Sequence, residues 1–369
     1  MKSIDLTRVN LPDFRKRLLN WHSENQRRLP WRETSNPYFI WVSEVMLQQT
    51  QVVKVLEYYR KFIKTFPDIR RLAAADLQDV LKVWEKMGYY ARARNLHKAA
   101  RMIVEELDGE IPSEFERFRK LPGVGEYIAA AVMSIAFNKS YAVVDGNVKR
   151  VLSRIFLMEA PVNGSGSGKI YRERADFLLD KEHPGMFNQA MMELGATICK
   201  PQNPLCDQCP VSNYCAANRE SRQQDFPLRK PARKIPEYHI SVGVVHKNGQ
   251  ILITRRKNEG LLGGLWEFPG GKVRPGETAR EACLREIREE VGLSVDIIDY
   301  LIEVKHAYTH FKIVMDVYRC QYLTGEVKLN GPQDYRWISL EEIERYPFPM
   351  ANHKFIPRLM EIAENKLGQ

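Results

Sequence analysis

Up to about residue 220, apolar positions recur every three or four residues. Leu18 and Trp21 share one stretch; Trp41, Val42, Val45 and Met46 share another; Val80, Leu81, Val83 and Trp84 share a third. That period predicts amphipathic helices. Breaks carrying Pro or Gly separate them, at Leu29-Pro30, Asn36-Pro37, Phe66-Pro67, Met87-Gly88, Ile111-Pro112 and Leu121-Pro122-Gly123. Ser113 with Glu116 reads as a capping box opening a helix. The stretch FPLRKPARKIPEYH (226–239) mixes prolines and cations and predicts an extended tether. Beyond it the period becomes strand-like. Ile240–Val245, the turn pair Asn248-Gly249 and Ile251–Thr254 predict a hairpin. A charged helix over 278–291 and strands near 301–322 complete the pattern. The fold class is therefore multidomain, an all-α part followed by an α+β part. Gly164–Gly168 reads as a flexible surface loop, and no internal repeat or low-complexity tract appears.

A length of 369 residues agrees with two or three domains. No run of eighteen apolar residues occurs, and the polar start does not read as a targeting peptide. The net charge of +10 is uneven: seven of the charges fall in 1–225, three in 226–240, and 241–369 is neutral. A basic first part with a basic connector suits a polyanion such as nucleic acid.

Cys199, Cys206, Cys209 and Cys215 stand as C-x6-C-x2-C-x5-C. Four thiolates this close suit one cubane 4Fe-4S cluster. Structural zinc is the rival, but zinc favours two tight pairs and only Cys206 and Cys209 make one. A disulfide set fits poorly, since Cys283 and Cys320 lie far away in sequence. Reduced cysteines and a cluster point to a cytosolic or nucleoid compartment. Leu121–Ala129 has the helix–hairpin–helix pattern, in which Gly123 and Gly125 let the backbone approach a phosphate of DNA. An ordinary helix–turn–helix connection is the alternative. Further on, Asp145 lies between apolar residues and a glycine at a helix start, either a catalytic carboxylate or a plain N-cap.

These motifs together resemble the endonuclease III superfamily of base-excision DNA glycosylases, and within it the adenine DNA glycosylases, over nearly the whole length. The carriers are Leu29–Arg32, Trp41–Thr50, Gly88–His97, Val144–Arg150, Phe187–Gly195 and the four cysteines. The resemblance implies a helix–hairpin–helix part over about 30–137, an iron–sulfur part from 1–29 plus 138–225, a linker at 226–239 and a further domain at 240–369. It also implies duplex DNA carrying an A:8-oxoguanine or A:G mispair as partner, no membrane, and a monomer. Lyase members place a lysine two residues after the second glycine; here that residue is Tyr127, which cannot form a Schiff base.

By the same resemblance Glu44 is the general acid that protonates adenine, and the apolar neighbours Trp41, Val45 and Met46 agree with a buried acid. Asp145 stabilises the sugar cation, with Asn147 and Tyr127 holding the carboxylates and water. The base must be flipped out. Trp31, Arg32, Leu47 and Gln189 would line its pocket, although Trp31 and Leu47 read equally well as core. Gln49 and Tyr89 would wedge into the base stack.

The second part resembles the Nudix family. Gly271, Glu277, Arg285, Glu286, Glu289, Glu290 and Gly292 complete the Nudix box, which in this group of glycosylases is usually eroded. Glu286, Glu289 and Glu290 share a helix face and are able to gather Mg2+, with Arg285 orienting them. The resemblance leaves two readings for this part: a lesion-recognition domain, or an added hydrolase for 8-oxo-dGTP or a similar nucleotide. Tyr308, Thr309 and His310 stand at the family's lesion-reading loop, with Tyr and Thr in place of the usual Phe and Ser.

Overall fold

Asparagine side chains open two of the N-terminal helices. Asn10 accepts from Asp13 N (3.2 Å) ahead of Leu11–Asn25, and Asn36 accepts from Tyr38 N (2.9 Å) ahead of Pro37–Leu47. The computed structural model describes residues 9–231 and 234–367. Their packing divides the chain into two units, Met1–Ala73 with Lys98–Ala232, and Ala74–His97 with Arg233–Gln369.

The first unit is helical. Phe14 and Leu18 from Leu11–Asn25 pack with Val151, Leu152 and Ile155 of Gly146–Phe156, Leu178 of Ser167–Leu178, and Phe187, Met191 and Leu194 of Pro184–Thr197. All are buried, which satisfies the apolar stripe on each helix. Small residues set the closest approaches. A Cβ at Gly195 would lie 2.6 Å from the Asn147 Cβ, so only glycine lets Pro184–Thr197 pack so tightly on the start of Gly146–Phe156.

Three local expectations are corrected here. Ser113 caps no helix: Phe115–Arg119 begins after Glu114, and the Ser113 hydroxyl only approaches the Glu114 carboxylate. The pattern was present, but the helix takes Glu114 as its N-cap, one residue later than the pattern suggests, and with no side-chain cap bond. The segment 164–168 is not all loop, because Ser167 is buried and opens a helix after Gly166. The tether starts later than its composition suggests. Phe226 is buried, Val162 N donates to Leu228 O (3.0 Å) and Lys230 N donates to the Asn163 side chain (2.8 Å), all in the first unit.

The second unit holds strands β1 Glu237–Lys247, β2 Gln250–Arg255, β3 Trp266–Glu267, β4 Gly270–Lys272, β5 Ser294–Ala307, β6 Lys312–Thr324 and β7 Asp334–Ile338. They form one mixed sheet in the order β3-β2-β1-β6-β5, with β4 also on β1 and β7 on β2. β1 and β6 run parallel, the other pairs antiparallel. The Asn248-Gly249 turn joins β1 to β2 in the expected register, Lys247 opposite Gln250. Alternation along β1 sends Val244 to one face and Val245 to the other. The Val244 face packs on Phe348, Phe355 and Leu359. The Val245 face packs on Cys283, Ile287 and Val291 of the helix Ala279–Val291, which is capped by a reciprocal Thr278–Glu281 box.

Residues 74–97 carry helices and group with the second unit, to which polar contacts tie them. Trp266 Nε1 donates to Gln78 Oε1 (2.8 Å), Phe348 N donates to Glu85 Oε1 (2.8 Å), and Arg94 donates to the carbonyls of Gly260 (2.7 Å) and Gly263 (2.8 Å). These partners lie about 165 to 265 positions away in sequence, so no local pattern announces them.

Candidate active site

Glu44 lies in the last turns of Pro37–Leu47, a helix with few polar positions, and only 3% of it is exposed. Tyr127, in the first turn of Glu126–Ile135, donates its hydroxyl to Glu44 Oε2. Asp145 is the N-cap of Gly146–Phe156, accepting from Val148 N (2.6 Å) and Asn147 Nδ2 (3.2 Å). Asp145 is thus the helix N-cap and also a cleft residue. One carboxylate oxygen serves the helix while the residue also lines a cleft. That cleft, about 700 Å³ including solvent at its mouth, brings together Glu44, Tyr127, Asp145, Asn147, Trp31, Arg32, Leu47 and Gln189. Trp31 is buried and sets its ring edge-on to Tyr59 at 5.1 Å, so it is core and pocket wall at once.

The two acids differ in their surroundings. Burial pushes the Glu44 acid up to about 7; the Tyr127 hydrogen bond opposes this and the nearby Asp145 charge reinforces it. Asp145 is also raised by burial, but the Val148 amide, the Arg150 charge and Asn147 all oppose the rise. Burial likewise holds Tyr127 well above the usual phenol range, so it remains a hydroxyl donor. Both acids are thus raised by burial, and Asp145 has more groups opposing the rise than Glu44 has.

Several residues of this site went unnoticed in the sequence. Arg27 and Glu193 line the cleft, and Glu193, fully buried, accepts from Arg27 Nε, Arg27 Nη2 and Arg32 Nη2, each at 2.7 Å. Both lay in or beside quoted motifs, but nothing local reveals that they meet across 166 positions. Arg150 is the other. It donates to Asn147 Oδ1 (2.8 Å), to Gly195 O (2.7 Å) and to Cys199 O (2.7 Å).

The four cysteines follow Pro184–Thr197 on loops and single 3-10 turns at Cys206–Gln208 and Ser212–Tyr214. Their side chains line one cavity of about 300 Å³ together with Arg154 and Gln223. Arg154 is buried; Nη1 donates to Cys199 Sγ (3.3 Å) and to Lys200 O (2.6 Å). Burial pushes the Cys209 thiol up to about 12 and Cys215 to about 11, so thiolates here require a compensating cation. Among the described residues no three His, Cys, Asp or Glu side chains converge on one ion. The thiols surround a space instead of a point, which fits a polynuclear cluster better than one zinc.

The remaining sequence candidates fall in separate places. Gln49 is exposed in the turn after Pro37–Leu47, beside the cleft residues Leu47 and Thr50, with a left-handed φ of 55°. Gly123 has φ 75° in the turn before Glu126–Ile135, and Gly125 is that helix's N-cap with open space at its Cβ position. In the second unit Tyr89 is also left-handed (φ 51°) and shares a 2.5 Å hydrogen bond with Thr309. Thr309 and His310 are exposed in the β5–β6 loop, while Tyr308 stacks on Phe311 at 4.7 Å.

The Nudix-box carboxylates are already engaged. Arg285 bonds Glu277 (2.6 Å), Glu286 (2.7 Å) and Glu289 (3.0 Å), Arg274 bonds Glu289 (2.9 Å), and Glu290 accepts from Gly270 N (2.9 Å). Burial pushes Glu290 up to about 8. Among the described residues Glu286, Glu289 and Glu290 do not converge on one point: Glu286 and Glu289 share Arg285, and Glu290 turns to the Gly270 amide.

Three family models match: an HhH-GPD superfamily base excision DNA repair protein over 42–166, the iron-sulfur binding domain of endonuclease III over 199–215, and a NUDIX domain over 241–358. The adenine DNA glycosylase of Homo sapiens is 38% identical over 89% of this chain and 70% of its own length. That of Rattus norvegicus is 37% identical over 92% and 77%. A solved thermostable thymine-DNA glycosylase is 30% identical and covers 58% of this chain and all of its own, with a TM-score of 0.52.

Proposed function

The chain belongs to the adenine DNA glycosylase family of base-excision repair enzymes, and on that premise we propose that it removes adenine paired with 8-oxoguanine or guanine by hydrolysis alone. The observation that carries the reading is Glu44 and Asp145 in one cleft, with the proton held on Glu44 up to about pH 7. Glu44 protonates a ring nitrogen of the flipped adenine. The C1′–N9 bond then breaks with its electron pair on the base, which leaves neutral. Asp145 faces the sugar cation, and Asn147 and Tyr127 hold the two acids. Water adds at C1′ and passes a proton to Asp145, giving an abasic site and free adenine. Tyr127 supplies no amine, so no Schiff base follows and the strand stays intact.

The pocket walls Trp31, Arg32, Leu47 and Gln189 would receive the base, with Gln49 and Tyr89 in the stack and the Gly123–Gly125 turn on the backbone. Cys199, Cys206, Cys209 and Cys215 would hold a 4Fe-4S cluster, which fixes the 199–215 loop and takes no part in hydrolysis. The human and rat relatives are adenine DNA glycosylases, which does not favour nucleotide hydrolysis for the second unit. Tyr308, Thr309 and His310 would read the lesion there. The protein would act as a monomer, in the cytosol or nucleoid where its DNA lies. Single-turnover release of free adenine from an A:8-oxoguanine duplex tests the reading, and an uncut abasic strand is the expected product. Absence of release, or a strand nick in the same time course, would refute it.

A further inference from the structure

Glu193 lies on Pro184–Thr197, has no exposed side-chain surface, and faces the same cleft as Glu44. It meets two guanidiniums at once. Arg27 forks onto both of its oxygens, and Arg32 shares the Oε2 side while also donating to Arg27 O (3.2 Å). Such bidentate pairs are strong and directional, and leaving one member uncompensated inside a protein is costly. Behind them His22 is buried and its pKa falls to about 4, chiefly from burial and then from the Arg32 charge, so it adds no cation.

Arg32 is also the cation that acts on Glu44, whose other charged or titratable neighbours are Tyr127 and Asp145. The helix Val52–Thr65, also packed on the Glu44 helix, lines the cleft with Val52 alone. A bare guanidinium near Glu44 would favour loss of its proton. We propose that Glu193 is a positioning residue of the reaction: its buried carboxylate holds Arg27 and Arg32 in one fork and offsets one of their two charges, so that less positive charge acts on Glu44 across the cleft. Burial alone would raise the Glu193 acid. The hydrogen bonds from Arg27 and Arg32 overcome this and hold it at about 2, so the neutralising charge persists at every working pH.

The inference rests on the glycosylase reading, in which protonated Glu44 drives the reaction and the rate falls on an alkaline limb as Glu44 ionises. Replacing Glu193 by Gln unmasks positive charge and moves that limb to lower pH by about one unit. Arg27→Gln removes a cation and moves the limb the other way. Its shift is smaller, since Arg27 is partly exposed. The experiment is the pH profile of single-turnover adenine release from an A:8-oxoguanine duplex by the full-length, cluster-loaded protein, for wild type, Glu193→Gln and Arg27→Gln. A purely structural role for Glu193 lowers rates at every pH alike and leaves the limb in place. Opposite displacements in the two variants support the proposal; a limb fixed in both, with wild type active, overturns it and spares the glycosylase reading. Should Glu193→Gln fail to fold, Arg27→Gln decides alone, an alkaline displacement supporting and an unmoved limb refuting. A wild type releasing no adenine overturns both.

Discussion

The cleft around Glu44 and the Nudix-box face around Glu286 each gather carboxylates, yet they are prepared for opposite purposes. In the cleft, Glu44 receives one hydroxyl hydrogen bond and, among the described residues, no ion pair, so burial dominates and raises its pKa. On the Nudix face, Arg285 alone ties together Glu277, Glu286 and Glu289. There three glutamates are held by one guanidinium, whereas Glu290 beside them accepts one backbone amide and is pushed up to about 8 by burial. What sets the proton affinity of each carboxylate is its burial and the donors that the fold supplies, not the count of carboxylates.

Four substitutions test that contrast. Glu44→Gln and Asp145→Asn are expected to lower single-turnover adenine release by about 10²- to 10⁴-fold each, the usual worth of a general acid or charged partner. Binding to a lesion duplex should survive; a normal rate in either variant would remove these roles. The next effect is on stability. Glu44 is raised from 4.5 to about 7 in the fold, so between those pH values the folded state binds more proton than the unfolded chain. Stability from this group is full below about pH 4.5 and is lost as pH rises to 7, on the order of 3 kcal/mol. Urea melts of Glu44→Gln across that window should show a flatter pH dependence than wild type. An unchanged slope would show that Glu44 is not buried as an acid.

Arg285→Ala should cost about 1–3 kcal/mol in urea unfolding of the second unit, since it strands partly buried carboxylates. Adenine release should stay near the wild-type rate. A lost rate with intact stability would reverse the assignment of this face. The smallest change is expected for Thr309→Val. Removing one hydroxyl contact should weaken binding to the lesion duplex by about 1 kcal/mol, roughly five-fold, without altering the pH profile. Equal affinity of both proteins in an equilibrium titration would exclude Thr309 from lesion reading.

Local sequence carried a good deal of this molecule. Asn248-Gly249 set the β1–β2 register, and the 278–291 charge pattern produced its capped helix, because both depend on neighbours within a few residues. Ser113 with Glu116 had the same kind of signature, yet the helix there starts one residue later, after Glu114. Residues 74–97 looked like more of the helical part. Their hydrogen bonds to Gly260, Gly263, Trp266 and Phe348 were invisible beforehand.

By itself the chain determined its helix-then-strand order, the cysteine spacing and the identity of Glu44, Tyr127 and Asp145. These are matters of residue type and short-range period. The tertiary structure alone decided that Glu193 would face Arg27 and Arg32, and that Arg285 would occupy the Nudix carboxylates. Only it decided, too, that Glu44 would lie buried with the Tyr127 hydroxyl as a hydrogen-bond donor. An acid's proton affinity follows from desolvation and from charges brought close by folding, and those distances are not written in any local stretch of sequence.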